Sequence, residues 1–164
     1  MQRRVVLWLE DTEAMPTLFE KLPVDATMFA DGGSRGNPGP SASGAVLFGP
    51  DGSILREVGE FLGIKTNNVA EWTALIIGLR AAQELGLRTL AIRMDSELVV
   101  KQVRGEYRVK NEDLKPLHQV AMRLLKSFDR IDIAHVPRNQ NKDADRVVNR
   151  VLDAIAQSQR ENAV

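Results

Sequence analysis

From Asp25 onward the apolar positions fall into blocks whose period changes along the chain. Ala26 to Asp31 reads as a strand. A glycine-rich turn follows, and Gly44 to Phe48 and Ile54 to Leu62 form two more strands around the turn signal Gly49-Pro50-Asp51-Gly52. The period then lengthens. Val69, Trp72, Ile76, Leu79 and Ala82 recur at helical spacing, which predicts a helix over 68–85 with Gly86 as its C-terminal stop. Thr89 to Met94 is a buried strand in pattern, and Ser96 can cap a helix that carries Leu98, Val99 and Val103 and stops at Gly105. Residues 113–128 read as helix, 131–136 as strand and 142–159 as a closing helix with Val147, Val151, Leu152 and Ile155 on one face. Three antiparallel strands followed by alternating helices and strands predict an α/β layered domain: a mixed five-stranded sheet, its last two strands parallel, flanked by helices.

Residues 1–24 stand apart from this pattern, with a strand expected over Arg3 to Leu9 and a helical turn or two over Thr12 to Leu22, punctuated by Pro16 and Pro23. The expected organisation is an extension over 1–24, one domain over 25–160 and a tail over 161–164. A chain of 164 residues suits one ordinary domain. The apolar run Val5 to Leu9 is too short for a signal sequence and ends in Glu10-Asp11, and no stretch reaches membrane-spanning length.

Charge changes the picture only locally. The 22 Lys and Arg balance 22 Asp and Glu, so no global basic field points to a polyanion partner, and nucleic-acid binding has to rest on patches. The absence of cysteine removes disulfides, thiolate zinc sites and cysteine nucleophiles, and fits a reducing, cytoplasmic compartment.

The candidate chemistry lies in acids at element ends. Asp31 ends the first strand of the regular domain and Asp95 ends the fourth; Glu71 lies in the first turn of the long helix and Asp145 in the first turn of the last. Taken singly, each has an ordinary reading as a turn or first-turn residue. Together, a single sheet can bring all four to one end. Two like unit charges about 4 Å apart repel by roughly 4 kcal/mol at an effective dielectric near 20, so such a cluster needs protons or cations. With no cysteine and only His118 and His135, the donors are hard oxygens that suit Mg²⁺ or Mn²⁺ rather than zinc. A pair of such ions can activate water and stabilise the leaving oxygen of a phosphodiester.

The motifs around these acids resemble those of type 1 ribonuclease H over about Ala26 to Gln159. Asp31-Gly-Gly-Ser-Arg-Gly-Asn-Pro-Gly-Pro40 is similar to that family's first motif, Thr66-Asn-Asn-Val-Ala-Glu71 to its second, Met94-Asp95-Ser96 to its third and Asn141-Lys-Asp-Ala-Asp145 to its fourth. The resemblance implies a ribonuclease H-like fold and an endonuclease that cuts the RNA strand of RNA-DNA hybrids with two metal ions, leaving 5′-phosphate and 3′-hydroxyl ends. It makes Asp31, Glu71, Asp95 and Asp145 the metal-binding carboxylates, with Asp31 bridging and Asp143 the competitor of Asp145. His135, ten residues before Asp145, matches a histidine tied to proton transfer or product release. His118, inside a helix, keeps a packing or surface reading. The implied substrate contacts are Gly32, Gly33, Ser34, Arg35, Asn37 and Asn67 near RNA 2′-hydroxyls, Thr66 at a DNA phosphate, and Asn68 and Asn141. Asn37 also suits a turn, and Asn68 an N-cap.

The chain departs from many members of that family in lacking a long basic insertion after the third acid. Only Gly105-Glu-Tyr-Arg-Val-Lys-Asn-Glu112 stands there, so the chain resembles the compact subgroup without the basic protrusion. Lys101, Arg104, Arg108, Lys110 and Lys115 still form a modest patch around Tyr107, which either meets a sugar or base or shields the core. A monomer that binds hybrid is expected, and a broader ribonuclease that also cuts double-stranded RNA or RNA-DNA junctions is the alternative within the enzyme class. A catalytically silent nucleic-acid-binding domain is the rival from another class, and the four acids argue against it. A transposase or integrase of related fold has a different acidic spacing.

Overall fold

The computed structural model describes residues 22–163 in full and residues 5–8 as backbone. In chain order the elements are strands β1 (Val5–Trp8), β2 (Ala26–Ser34), β3 (Gly39–Phe48) and β4 (Ile54–Lys65), helix α1 (Asn67–Glu84), strand β5 (Thr89–Met94), helices α2 (Glu97–Val103) and α3 (Lys115–Leu125), strand β6 (Arg130–His135) and helix α4 (Lys142–Asn162). The sheet order is β1-β6-β5-β2-β3-β4. Strands β2, β3 and β4 are antiparallel, and β5 and β6 run parallel to β2. This is the expected five-stranded mixed sheet, and β1 adds a sixth strand parallel to β6. The helical turns expected over residues 12–22 fall, save for Leu22, outside the described residues.

Neighbouring residues of a strand point to opposite faces, and Gly32 and Gly33 show how the layers are arranged. A side-chain carbon on Gly32 would collide with Ala70 and Glu71 of α1, whereas one on Gly33 would meet Val148 of α4. Helix α1 therefore covers one face and α4 the other. The larger core lies under α1, where Met28, Leu47, Trp72, Leu75, Leu79, Ile92, Phe128 and Ile133 are buried. The buried indole N–H of Trp72 donates to Gln102 Oε1 at 3.1 Å, and His118 packs edge-on to the ring. Beneath α4 a smaller cluster joins Val148 and Leu152 to Ala42, with Phe61 and Val151 at its margin.

Element ends follow local chemistry. The helix α1 closes as expected at Gly86: Leu87 N–H donates to Ala82 O and Gly86 N–H to Gln83 O, the paired bonds of a Schellman cap, with Gly86 at φ 73°. Ser96 caps α2 by accepting Val99 N–H. Several boundaries differ from the pattern-based reading, and the physical cause is visible at the following ones. Strand β2 continues past Asp31 to Ser34 and β3 begins at Gly39, because Gly32, Gly33 and Ser34 pair with Ser43, Ala42 and Ser41. Polar residues hid this pairing, since Ser43 is buried with its hydroxyl donating to Ala70 O at 2.6 Å. The N-cap of α1 is Thr66, whose hydroxyl accepts Val69 N–H, and not Asn68. Helix α3 starts at Lys115, two residues later than its pattern suggests, because Asn111 folds its side chain onto Asp113 N–H and forms a local turn first.

Candidate active site

The carboxylates converge because two parallel strands end side by side. Ala30 of β2 is paired with Met94 of β5, so Asp31 and Asp95 are the next residues out on neighbouring strands. Glu71 arrives from α1. The missing side chain of Gly32 lets the helix approach until a Cβ there would lie 2.2 Å from the Ala70 carbonyl carbon, and Gly32 N–H donates to Glu71 Oε2 at 3.1 Å. One carboxylate oxygen from each of Asp31, Glu71 and Asp95 lies within 4.8 Å of the others. Asp145, in the first turn of α4, lines the same cleft of about 500 Å³.

Burial and mutual repulsion dominate the electrostatics. The Asp31 carboxyl is pushed up to about 8, first by burial and then by the charges of Asp95 and Asp145. Glu71 is raised well above the ordinary carboxylate range by burial and by Asp31 and Asp95, against the opposing hydrogen bond from Gly32 N–H. Asp31 and Glu71 therefore hold their protons to higher pH than ordinary carboxylates do. Four carboxylates with no thiol in reach form an oxygen donor set that fits a hard divalent cation.

Of the expected substrate contacts, Gly32, Gly33, Ser34, Arg35 and Asn67 line the carboxylate cleft. Asn37 sits in the turn between β2 and β3, where its Oδ1 accepts Asn67 N–H at 3.1 Å and ties the turn to the start of α1. Arg35 is held by Asp153 of α4 at 2.6 Å. Thr66 lies in a flanking groove with Pro38, Phe61, Ile64, Lys65 and Asp113, and Asn68 is exposed at the surface of α1. Tyr107 stands away from the acids. It is 48% exposed in a groove of about 820 Å³ with Arg108, Lys110, Lys115 and His118, and Lys101 Nζ lies 4.9 Å from its ring centre. His135 is the last residue of β6, opposite Met94 and partly buried. Asn141, expected among the substrate contacts, is instead buried at 1% exposure with its amide turned to protein acceptors.

Sequence reasoning passed over Arg138 and Asn149, both of which line the cleft. Asn149 Nδ2 donates to Asp145 Oδ2 at 3.2 Å. Its spacing of four from Asp145 on a helix was the available signal. Asp143 faces away from this role, since it pairs with Arg146 at 3.0 Å and does not line the cleft.

Residues 29–151 match a family model described as Reverse transcriptase-like. The Bifunctional protein Rv2228c of Mycobacterium tuberculosis is 49% identical over 130 residues, which cover 79% of this chain and 36% of that protein. Ribonuclease HI of Halobacterium salinarum is 46% identical over 125 residues, covering 76% of this chain and 63% of that protein. The chain thus spans only part of the length of either relative. The solved N-terminal RNase H domain of Rv2228c superposes with a TM-score of 0.79 at 47% identity, over 84% of this chain and 99% of that one. LC11-RNase H1 in complex with RNA/DNA hybrid superposes at 0.76 with 36% identity, over 80% of this chain and 99% of that one.

Proposed function

The chain belongs to the ribonuclease H family, and from that premise we propose that it is an endonuclease that hydrolyses the RNA strand of RNA-DNA hybrids with divalent cations, Mg²⁺ or in its place Mn²⁺. The observation that carries this reading is the meeting of Asp31, Glu71 and Asp95 within 4.8 Å, with Asp145 lining the same cleft.

Asp31, Glu71, Asp95 and Asp145 would hold two cations. Bound there, the cations supply Lewis-acid polarisation of the scissile phosphate and a water of lowered pKa, which yields 5′-phosphate and 3′-hydroxyl ends. The chain's own residues bind, orient and discriminate. Gly32 and Gly33 line the cleft, and glycine backbone suits the approach of a 2′-hydroxyl. Ser34, Arg35 and Asn67 extend that wall, and Asn37 braces it through Asn67 N–H. Arg138 adds a cation to the cleft lining, suited to a phosphate. His135, at the end of β6, is the candidate for moving a proton during cleavage or product release. The grooves holding Thr66 and Tyr107 carry polar and basic groups that suit the DNA strand's phosphates. All four acids come from one chain, so a monomer suffices. Among the described residues no helix is long and apolar enough to cross a membrane.

A labelled RNA strand offered alone, paired with DNA and paired with RNA, each with Mg²⁺ and with chelator, tests the reading. Cleavage of the hybrid that disappears with chelator is the expected result. An intact hybrid in both Mg²⁺ and Mn²⁺, or cutting that survives chelator, overturns it. The RNA duplex arm reports how strictly the opposite strand must be DNA.

A further inference from the structure

Asn141 holds the N-cap position of α4, where an asparagine ordinarily turns its side-chain oxygen onto N–H groups of the first turn. Here it makes no such bond. Its side chain is directed into the sheet, where Nδ2 donates to Ala30 O at 2.9 Å and to Asp95 Oδ1 at 3.1 Å. Both partners are acceptors, so only the amide nitrogen can face them, and the orientation of the group is settled by chemistry. The oxygen left behind, Oδ1, is buried and finds no partner among the described residues. The side chain thus serves acceptors in the sheet and not the first turn of its own helix, where an N-cap asparagine ordinarily acts.

The same residue bonds two of the four acids and the backbone next to a third. Ala30 is the residue before Asp31, so the bond to its carbonyl holds the strand end that presents Asp31. The second amide bond holds the Asp95 carboxylate itself. The Asn141 carbonyl accepts Asp145 N–H at 3.2 Å, which sets the helical turn that presents Asp145. Asp31 and Asp95 repel each other when both are charged, and the Asn141 donor favours the Asp95 orientation that faces it.

We propose that Asn141 is a positioning residue that gives up its helix-capping role to hold Asp95 in register with Asp31 and Asp145, so that the acids can share cations. This rests on the reading of the cleft as a metal-dependent nuclease site. It replaces direct contact with nucleic acid by an action through Asp95.

Two variants test it: Asn141→Ser, which shortens the donor, and Asn141→Asp, which sets an acceptor against acceptors. Mn²⁺ affinity is read by calorimetry without nucleic acid, hybrid affinity is read in chelator, and kcat and KM are read separately with Mg²⁺. Mn²⁺ affinity and kcat should each fall by about 10- to 100-fold, the usual effect of losing a partner that orients a ligand, while KM and chelator-stage hybrid affinity stay at wild-type values. A folded Asn141→Ser with wild-type Mn²⁺ affinity overturns the proposal, as does a loss of hybrid affinity in chelator that matches the loss of cleavage. Metal-free melting supplies a readout that survives poor folding of Asn141→Asp. Adding Asp95→Asn to it restores a donor and acceptor pair and should raise the melting temperature, whereas additive losses overturn direct coupling. If the wild-type chain fails to cut hybrid, the nuclease reading falls while the Mn²⁺ and melting comparisons still judge Asn141.

Discussion

The backbone N–H of Gly32 donates to Oε2 of Glu71 at 3.1 Å, and this contact exists only because position 32 has no side chain. A Cβ there would lie 2.2 to 2.4 Å from backbone atoms of Ala70 and Glu71. Backbone cannot rotate aside as a flexible side chain can. Gly32→Ala should therefore push α1 away from β2, destabilise the domain by about 1–3 kcal/mol or more in urea denaturation, and abolish cleavage. Gly33→Ala meets only Val148 Cγ1 at 3.1 Å and should be milder in both assays. Equal effects of the two substitutions would count against this account.

The pH dependence of stability has a defined sign. The Asp31 carboxyl is pushed up to about 8 in the folded chain, from about 3.9 when unfolded. Between those values the native state keeps a proton that the unfolded state has released, so stability falls as pH rises, and the penalty is complete above about 8. Glu71 acts in the same direction. Metal-free protein should melt at a higher temperature near pH 6 than near pH 8.5, Mg²⁺ should stabilise it more at the higher pH, and Asp31→Asn should flatten both trends. Thermal melts in chelator and in Mg²⁺ check all three.

Asp143 and Asp145 lie two residues apart on α4 but have different surroundings. Asp145 lines the carboxylate cleft and accepts from Asn149, whereas Asp143 pairs with Arg146 at the surface. Asp145→Asn should lose most cleavage with little loss of hybrid binding. Asp143→Asn should keep near-normal initial rates and a stability within about 0.5 kcal/mol of wild type, as exposed substitutions do. The reverse ranking would assign the fourth acid to Asp143.

Hybrid binding should depend steeply on salt despite the balanced overall charge. Arg108, Lys110 and Lys115 line one groove beside Tyr107, and each phosphate they neutralise contributes about −0.9 to the slope of log K against log salt. Arg108→Ala and Lys110→Ala should each reduce that slope by about 1, measured with the Asp95→Asn variant so that the hybrid is not cut. A wild-type slope near zero would remove this groove from the interface.

The period changes along the chain were enough for the five strands of the regular domain and for α1, whose apolar spacing and Gly86 stop reappear as a buried face and a Schellman cap. They were not enough where side chains act on the backbone nearby. Ser41 and Ser43 look like loop residues, yet both are buried in β3. Asn111 delays α3 by folding onto Asp113 N–H. In each case a hydroxyl or amide satisfies a backbone group, and hydrophobic periodicity carries no trace of that bond.

What the sequence by itself determined is the inventory of the site: four acids at element ends, glycines after the first, and oxygen donors in place of thiols. Local chemistry sets these, because strand ends, helix starts and glycine turns are written in neighbouring residues. Tertiary structure alone decided which groups meet. It aligned Asp31 with Asp95 through the pairing of Ala30 and Met94, brought Glu71 onto Gly32, left Asp143 outside and sent Asn141 inward to Asp95. Strand register and helix approach distance depend on contacts between residues far apart in the chain, and no local pattern of polarity specifies them.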